Sequence, residues 1–157
     1  MKPTLYIETT IISYLTARPS RDLVAVARQQ VTREWWDSER DRYDLVISEA
    51  VVAEAMRGDD DTAQRRLDAL VGIPEVVLTD EAATLAEALL EPGPIPLRAA
   101  LDATHIAAAA LAGADFLLTW NFKHLANAAL RNRIDAACRN AGYEPPVICT
   151  PEELLAR

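Results

Sequence analysis

The sequence predicts an α/β protein built on a central parallel sheet of four to five short strands with helices on both faces. Short apolar runs alternate with longer helical patterns, glycine and proline separate them, and one helix is apolar almost all round. Parallel strands need crossover connections, which the intervening helices supply. With 157 residues and 50% hydrophobic content, the chain suits a single domain spanning residues 1–157.

The first half of the chain contains three predicted strands, each followed by helix. Thr9 or Thr10 is able to cap the helix after the first strand, and Ser48 is a good N-cap after the second. The strands are expected at 5–7, 43–47 and 76–78. The helices are expected through 11–15, 22–35, 50–56, 59–71 and 80–90.

The second half is organised around the run 101–125. Alanine-rich sequence from Ala99 to Ala112 predicts a buried helix, Gly113 a turn, and residues 116–119 a strand. Asn121 therefore follows the carboxyl end of that strand, the edge at which open parallel sheets bind ligands. The remaining expectations are a helix over 126–141, a strand over 147–149 and a capping-box helix start at 150–153.

Composition excludes several classes of protein. The net charge of -8 argues against a protein that coats nucleic acid through a broad basic surface. Two cysteines without metal-type spacing, two histidines and no long apolar run predict a reduced cytoplasmic chain without zinc or a membrane span. One basic stretch follows Asn121, and a solvated helix face explains it about as well as phosphate binding does. Its cations are Lys123, Arg131, Arg133 and Arg139.

Three carboxylates stand in apolar surroundings: Glu8, Glu54 and Asp102. An ionised carboxylate in a dry site is costly unless it is paired or bound to a metal. Arg98 is a structural partner for Asp102, and Arg57 is one for Glu54. For any one of these carboxylates alone, the structural explanation is the commoner outcome.

The joint placement of these residues favours a metal site. Because the carboxyl ends of parallel strands share one edge, Glu8 and Asn121 are expected to face Glu54 and Asp102 across a crevice. Such a cluster of oxygen ligands suits Mg²⁺ or Mn²⁺ together with a substrate phosphate. Phosphodiester hydrolysis is the natural chemistry of such a site.

Other polar residues near these positions are weaker candidates. Asp115 precedes the fourth strand and is expected at the opposite edge of the sheet. Glu49 is expected to stabilise the first turn of its helix. His105 follows Asp102 by three residues and is able to face the site, although a histidine bonded within the core is commoner.

The chain resembles the PIN domain family, and specifically the VapC-like toxins of type II toxin–antitoxin systems. The resemblance spans nearly the whole chain and rests on four features. These are the acid that ends strand one with Thr9 after it, the helix-borne Glu54, the pattern Leu101-Asp102-Ala103-x-x-Ile106-Ala107, and Leu118-Thr119-Trp120-Asn121-Phe122.

The resemblance implies a three-layer PIN-like fold and a metal-dependent endoribonuclease. Glu54 and Asp102 match the second and third acids, Glu8 stands where aspartate is usual, and Asn121 takes the fourth position. These four residues are the predicted catalytic and Mg²⁺ or Mn²⁺ ligands, and RNA, a small antitoxin protein and a second copy of the chain are the implied partners. The predicted substrate-binding residues are Thr9, Lys123, Arg131 and Arg133.

An alternative keeps the fold and removes the chemistry. Glutamate at position 8 displaces the carboxylate relative to aspartate, and asparagine at position 121 removes one charge from the site. A PIN-fold module that binds nucleic acid or protein, with weak or no catalysis, is therefore the competing prediction.

Overall fold

The computed structural model describes residues 1–156 and contains one sheet of five parallel strands. Arg157, the last residue of the predicted domain, lies outside the described residues. The spatial order of the strands is β3-β2-β1-β4-β5. The α/β fold with a central parallel sheet is confirmed. The strands are β1 (Thr4–Ile7), β2 (Asp44–Ser48), β3 (Glu75–Val76), β4 (Phe116–Leu118) and β5 (Val147–Cys149).

Seven α-helices and two short 3₁₀ segments connect these strands within residues 1–156, and a third 3₁₀ segment follows β5. The α-helices are α1 (Thr9–Thr16), α2 (Leu23–Ser38), α3 (Glu49–Ala55), α4 (Asp60–Leu70), α5 (Asp80–Leu89), α6 (Ala100–Leu111) and α7 (Ala128–Asn140). The 3₁₀ segments are Arg40–Arg42, Leu97–Ala99 and Pro151–Leu154. The predicted capping box at Thr150 is present, but it opens a 3₁₀ turn.

The strand order places helices on both faces of the sheet. From β1 the chain moves to β2 and β3, and it then returns to place β4 and β5 on the other side of β1. Because crossovers between parallel strands are right-handed, the two directions put α1–α4 on one face and α5–α7 on the other. The order therefore reverses between β1 and β4, and this reversal is where open parallel sheets form a binding crevice.

The core explains the alanine-rich sequence of α6. Ala103, Ala107 and Ala109 are fully buried, and α6 packs against α5. Alanine lets a helix approach its neighbours closely while keeping strong helix propensity. On the other side of the same core, the central strand β1 buries Leu5, Tyr6 and Ile7 completely. None of the helices in residues 1–156 is long and apolar enough to cross a membrane.

Two local predictions from the sequence are wrong and one is confirmed. The third strand is shorter than predicted and covers only Glu75–Val76. The N-cap of α1 is neither Thr9 nor Thr10, because the carboxylate of Glu8 accepts the hydrogen bond from the Thr10 backbone N–H. Asp115 does lie at the amino-terminal edge of the sheet, as expected, and its Oδ2 accepts from the Thr4 backbone N–H at 2.8 Å.

The two cysteines are expected to be unreactive in the folded protein. Cys138 and Cys149 are free and buried, and burial raises the pKa of their thiols to about 11 and about 12. Because the thiolate is the reactive form, a disulfide reagent in mildly alkaline buffer will label neither cysteine until the chain is unfolded. Rapid labelling of the native protein would contradict this burial.

Candidate metal centre

Glu8 joins the ends of the two strands at which the order reverses. It follows β1, has only 3% of its surface exposed, and its Oε1 accepts from the hydroxyls of Thr10 at 2.6 Å and Thr119 at 2.5 Å. The same two hydroxyls accept from the segment after β4: Thr10 from the Trp120 N–H at 2.8 Å, and Thr119 from the Asn121 N–H at 2.9 Å. Glu8 thus fixes the segment after β4 against the start of α1.

Glu54 enters the same crevice from α3. Its Oε1 accepts from the Thr9 hydroxyl at 2.9 Å and lies 2.5 Å from Nε2 of His105. Burial alone would raise the pKa of Glu54, but the hydrogen bond and charge of His105, with Thr9 and the charge on Arg57, lower it below its usual value. Glu54 is therefore held in its ionised form.

A chain of hydrogen bonds orients His105 on the side of its ring away from Glu54. Its Nδ1 lies 2.8 Å from the Tyr6 hydroxyl, which lies 2.8 Å from the Ser48 hydroxyl, and Ser48 accepts from the Ala50 N–H. Burial raises the pKa of Tyr6, so the phenol stays protonated. The contact between Nε2 of His105 and Glu54 is thus one end of a chain of hydrogen bonds that runs through Tyr6 to Ser48. His105 is thus both a core histidine, 1% exposed, and a neighbour of the site.

Asp102 lies in the first turn of α6 and is held by Asn121. Nδ2 of Asn121 donates to Oδ1 of Asp102 at 3.1 Å. Oδ1 of Asn121 accepts from the N–H groups of Lys123 and His124, each at 3.1 Å, which fixes the orientation of the amide. Desolvation raises the pKa of Asp102, although the bond from Asn121 partly offsets it, and the nearby charge of Glu54 raises it further.

The structural partners considered for these carboxylates do not pair with them. Within residues 1–156, no lysine or arginine forms an ion pair with Glu8, Glu54 or Asp102; Arg98 and Arg57 are not ion-paired to Asp102 and Glu54. Glu54 has His105 as a partner, whereas Glu8 and Asp102 form no ion pair within residues 1–156, so a bound cation would supply the positive charge that these two acids lack.

The donor set fits a hard divalent cation. One oxygen of Glu8, one of Glu54 and a ring nitrogen of His105 lie within 4.8 Å of one another. Of the three predicted acidic ligands, Glu8 and Glu54 belong to this group and Asp102 does not, although Asp102 is close enough for the charge of Glu54 to raise its pKa. Carboxylate oxygens are the preferred ligands of Mg²⁺ and Mn²⁺. The structure places Asn121 beside Asp102 with its oxygen already accepting two hydrogen bonds, so its role as a metal ligand stays a prediction.

The predicted substrate-binding residues have different surroundings. Lys123 is exposed in the turn after Asn121, and the Thr9 hydroxyl is bonded to Glu54. Arg131 donates to the Ile148 carbonyl at 2.7 Å, and Arg133 donates to the Gly93 carbonyl at 3.2 Å. The two arginines thus have structural contacts, and Lys123 is the cation of this set nearest to the site along the chain.

The architecture is a VapC-type PIN fold: a parallel sheet with helices on both faces that aligns with two solved structures. The fold predicted from the resemblance is confirmed. No protein-family model matches the sequence, and no curated protein matches it significantly.

Two solved structures share this fold at low sequence identity. The VapC20 toxin of Mycobacterium tuberculosis, which cleaves the sarcin–ricin loop, aligns with a TM-score of 0.58 and 17% identity over 77% of this chain and 92% of its own. VapBC2 of Rickettsia felis, solved with a DNA fragment from its promoter, aligns with a TM-score of 0.55 and 14% identity over 94% of this chain and 98% of the other. At these identities the likeness establishes the fold.

Four residues of the site were not among the predicted site residues. Thr10 and Thr119 hold Glu8, Tyr6 orients His105, and His105, considered only as a weaker candidate, contacts Glu54. The two threonines carry a detectable signal, since each stands close to the carboxyl end of a predicted strand. Tyr6 carries none, because an aromatic residue within a buried strand is ordinary core sequence.

Proposed function

We propose that this chain is a metal-dependent endoribonuclease, the toxin of a type II toxin–antitoxin pair, that hydrolyses RNA phosphodiester bonds. The observation that carries the proposal is the meeting of Glu8 and Glu54 at the β1–β4 switch point, where one oxygen of each lies within 4.8 Å of the other. Asp102 is close enough for the charge of Glu54 to act on it, and none of the three acids forms an ion pair with a lysine or arginine in residues 1–156. The VapC-type fold supports the same reaction class.

Each acid has its own support for this role. Glu54 and Asp102 would hold a Mg²⁺ or Mn²⁺ ion, with Glu8 completing the set. When bound, a divalent cation activates water and stabilises the charge that develops at phosphorus. Thr9 and His105 orient Glu54, Asn121 orients Asp102, and Thr10 and Thr119 orient Glu8. The chain thus contributes carboxylates whose positions are set by hydrogen bonds before any ligand arrives.

A small antitoxin protein and a second copy of the chain are the proposed partners, in the cytoplasm. Leu23 and Val24, at the start of α2, expose 84% and 55% of their surfaces. Large apolar side chains exposed next to each other support a surface that another protein covers.

The test is metal-dependent cleavage of RNA by the purified protein. We expect an RNA oligonucleotide to be cut when Mg²⁺ or Mn²⁺ is present, and a chelator to stop the reaction. Products with 5′-phosphate and 3′-hydroxyl ends are expected, as the resemblance to VapC-like toxins implies. Cleavage that survives chelation would contradict the proposal, as would the absence of cleavage with every RNA and metal.

A second candidate function is a binding module of the same fold. Both oxygens of Glu8 already accept hydrogen bonds, and the oxygen of Asn121 accepts two. These contacts favour a site that retains its structure without turning over substrate. Binding of RNA or a partner protein without metal-dependent cleavage would distinguish this candidate from the nuclease.

A further inference from the structure

Beside the candidate metal centre lies a cluster formed by Arg28, Trp120 and Phe122, here called the aromatic cluster. Trp120 is 8% exposed and its ring N–H donates to the Thr32 hydroxyl at 2.8 Å, so its ring is held in place. Phe122 packs on it with ring centroids 6.1 Å apart, yet Phe122 is 45% exposed. The guanidinium carbon of Arg28 lies 5.0 Å from the Phe122 centroid and 5.7 Å from that of Trp120.

The position of Phe122 is coupled to the candidate metal centre. Asn121 donates to Asp102 and accepts from the N–H groups of Lys123 and His124, so one side chain fixes both the acid and the turn that carries Phe122. Consecutive Cα atoms are about 3.8 Å apart. Phe122 is therefore carried by the residue next to the one that holds Asp102, at the end of the sheet where the candidate metal centre lies.

The chemistry of the aromatic cluster suits an unpaired nucleobase. Single-stranded RNA is bound by stacking its bases on aromatic rings and on arginine guanidinium planes, while cations contact its phosphates. Arg28 brings positive charge to this surface in a chain of net charge -8, and the exposed Lys123 follows Phe122 directly. The aromatic cluster thus combines an exposed ring, a stacked guanidinium and a neighbouring ammonium.

We infer that Phe122, with Arg28, forms a stacking subsite for one unpaired base that flanks the scissile phosphate. This inference rests on the proposed nuclease function and adds to it a residue that selects single-stranded RNA. Because any base has a face that stacks, the subsite contributes affinity and strand preference, with little discrimination between bases.

The test compares Phe122→Leu with the matched control Phe122→Tyr. Leucine keeps an apolar side chain and removes the ring, whereas tyrosine keeps the ring, and the exposure of Phe122 makes both substitutions compatible with folding. Binding of a fluorescent single-stranded RNA is measured in the Asp102→Asn background, so that the RNA is not cut. We expect Phe122→Leu to weaken binding about tenfold and Phe122→Tyr to leave it unchanged.

A second RNA series locates the stacked base. Replacing single nucleotides by abasic ones is expected to reveal one position at which the protein that retains Phe122 loses about tenfold in affinity. The Phe122→Leu protein should bind intact RNA and the RNA that is abasic at that position with equal affinity, because the base and the ring form one interaction. Equal binding of intact RNA with and without the Phe122→Leu substitution would overturn the inference, and so would a loss that no abasic position reproduces.

The outcomes separate this inference from the proposed function. If the protein with Asp102 cuts RNA and Phe122→Leu binds it normally, the stacking subsite is absent and the nuclease stands. If Phe122→Leu binds RNA normally but loses a protein partner, the aromatic cluster is a protein-binding surface and the inference is overturned. If no RNA is bound or cut at all, both the inference and the proposed function fail.

Discussion

On the proposed function, replacing Asp102 by asparagine will lower the rate of RNA cleavage about 10³-fold, because a ligand to the cation would contribute several kcal/mol to stabilising the transition state. Asparagine keeps the shape of the side chain and an oxygen that accepts from Asn121, so the loss will reflect the missing charge. The measurement is cleavage of the same RNA at saturating Mg²⁺ by both proteins, with melting temperatures recorded alongside.

The control is Asp80→Asn, an exposed aspartate in the first turn of α5. We expect Asp80→Asn to leave cleavage unchanged.

The Asp102→Asn protein will not melt at a lower temperature than the protein with Asp102. The pKa of Asp102 is higher in the folded protein than in the unfolded chain. The protonated carboxyl therefore favours the folded state at low pH, and this stabilisation is lost as the pH rises through the folded pKa. At neutral pH the ionised group thus opposes folding. Full cleavage activity of the Asp102→Asn protein would contradict a role for Asp102 in catalysis.

Replacing Glu54 by glutamine will lower cleavage by about 10²-fold or more, because the site loses one of its charges. The amide retains an oxygen that accepts from Thr9, and its fit against His105 tests that contact directly. The measurement is again the cleavage rate, followed over increasing Mg²⁺ concentration, and weaker metal affinity is expected to account for part of the loss.

The matched control for this change lies on the same helix. Glu49 is exposed in the first turn of α3, and Glu49→Gln removes the same charge from the same element. We expect Glu49→Gln to change cleavage less than about twofold and stability by about 0.5 kcal/mol, through the helix dipole alone. Equal losses in the two variants would show that net charge, and not the position of Glu54, matters.

Much of the fold follows from local sequence patterns. The apolar strands, the helices between them and the alanine-rich α6 can all be predicted from the sequence, because burial on both faces gives parallel strands continuous apolar runs. The strand order cannot be predicted in this way, since it depends on which strands pack best beside each other. The length of β3 likewise could not be predicted from its own residues, because it is set by the pairing of Glu75 and Val76 with β2.

The candidate site was predictable where a polar residue interrupted apolar sequence. Asp102 and Glu54 stand out for that reason, and Asn121 stands out at a strand end. The hydrogen bonds that orient these residues were not predictable, because each joins residues far apart in the chain: Thr119 to Glu8, His105 to Glu54 and Tyr6 to His105. The capping of α1 by Glu8 also depends on this network.

Direct binding of Mn²⁺ tests the central claim most closely. Free Mn²⁺ is measured by electron paramagnetic resonance as the metal is added to the protein with Asp102 and to Asp102→Asn, with Asp80→Asn as control. We expect the first protein and the control to bind Mn²⁺ and Asp102→Asn to lose most of that binding. Equal binding by all three proteins, or no binding by the protein with all its acids in place, would contradict a metal centre at the switch point.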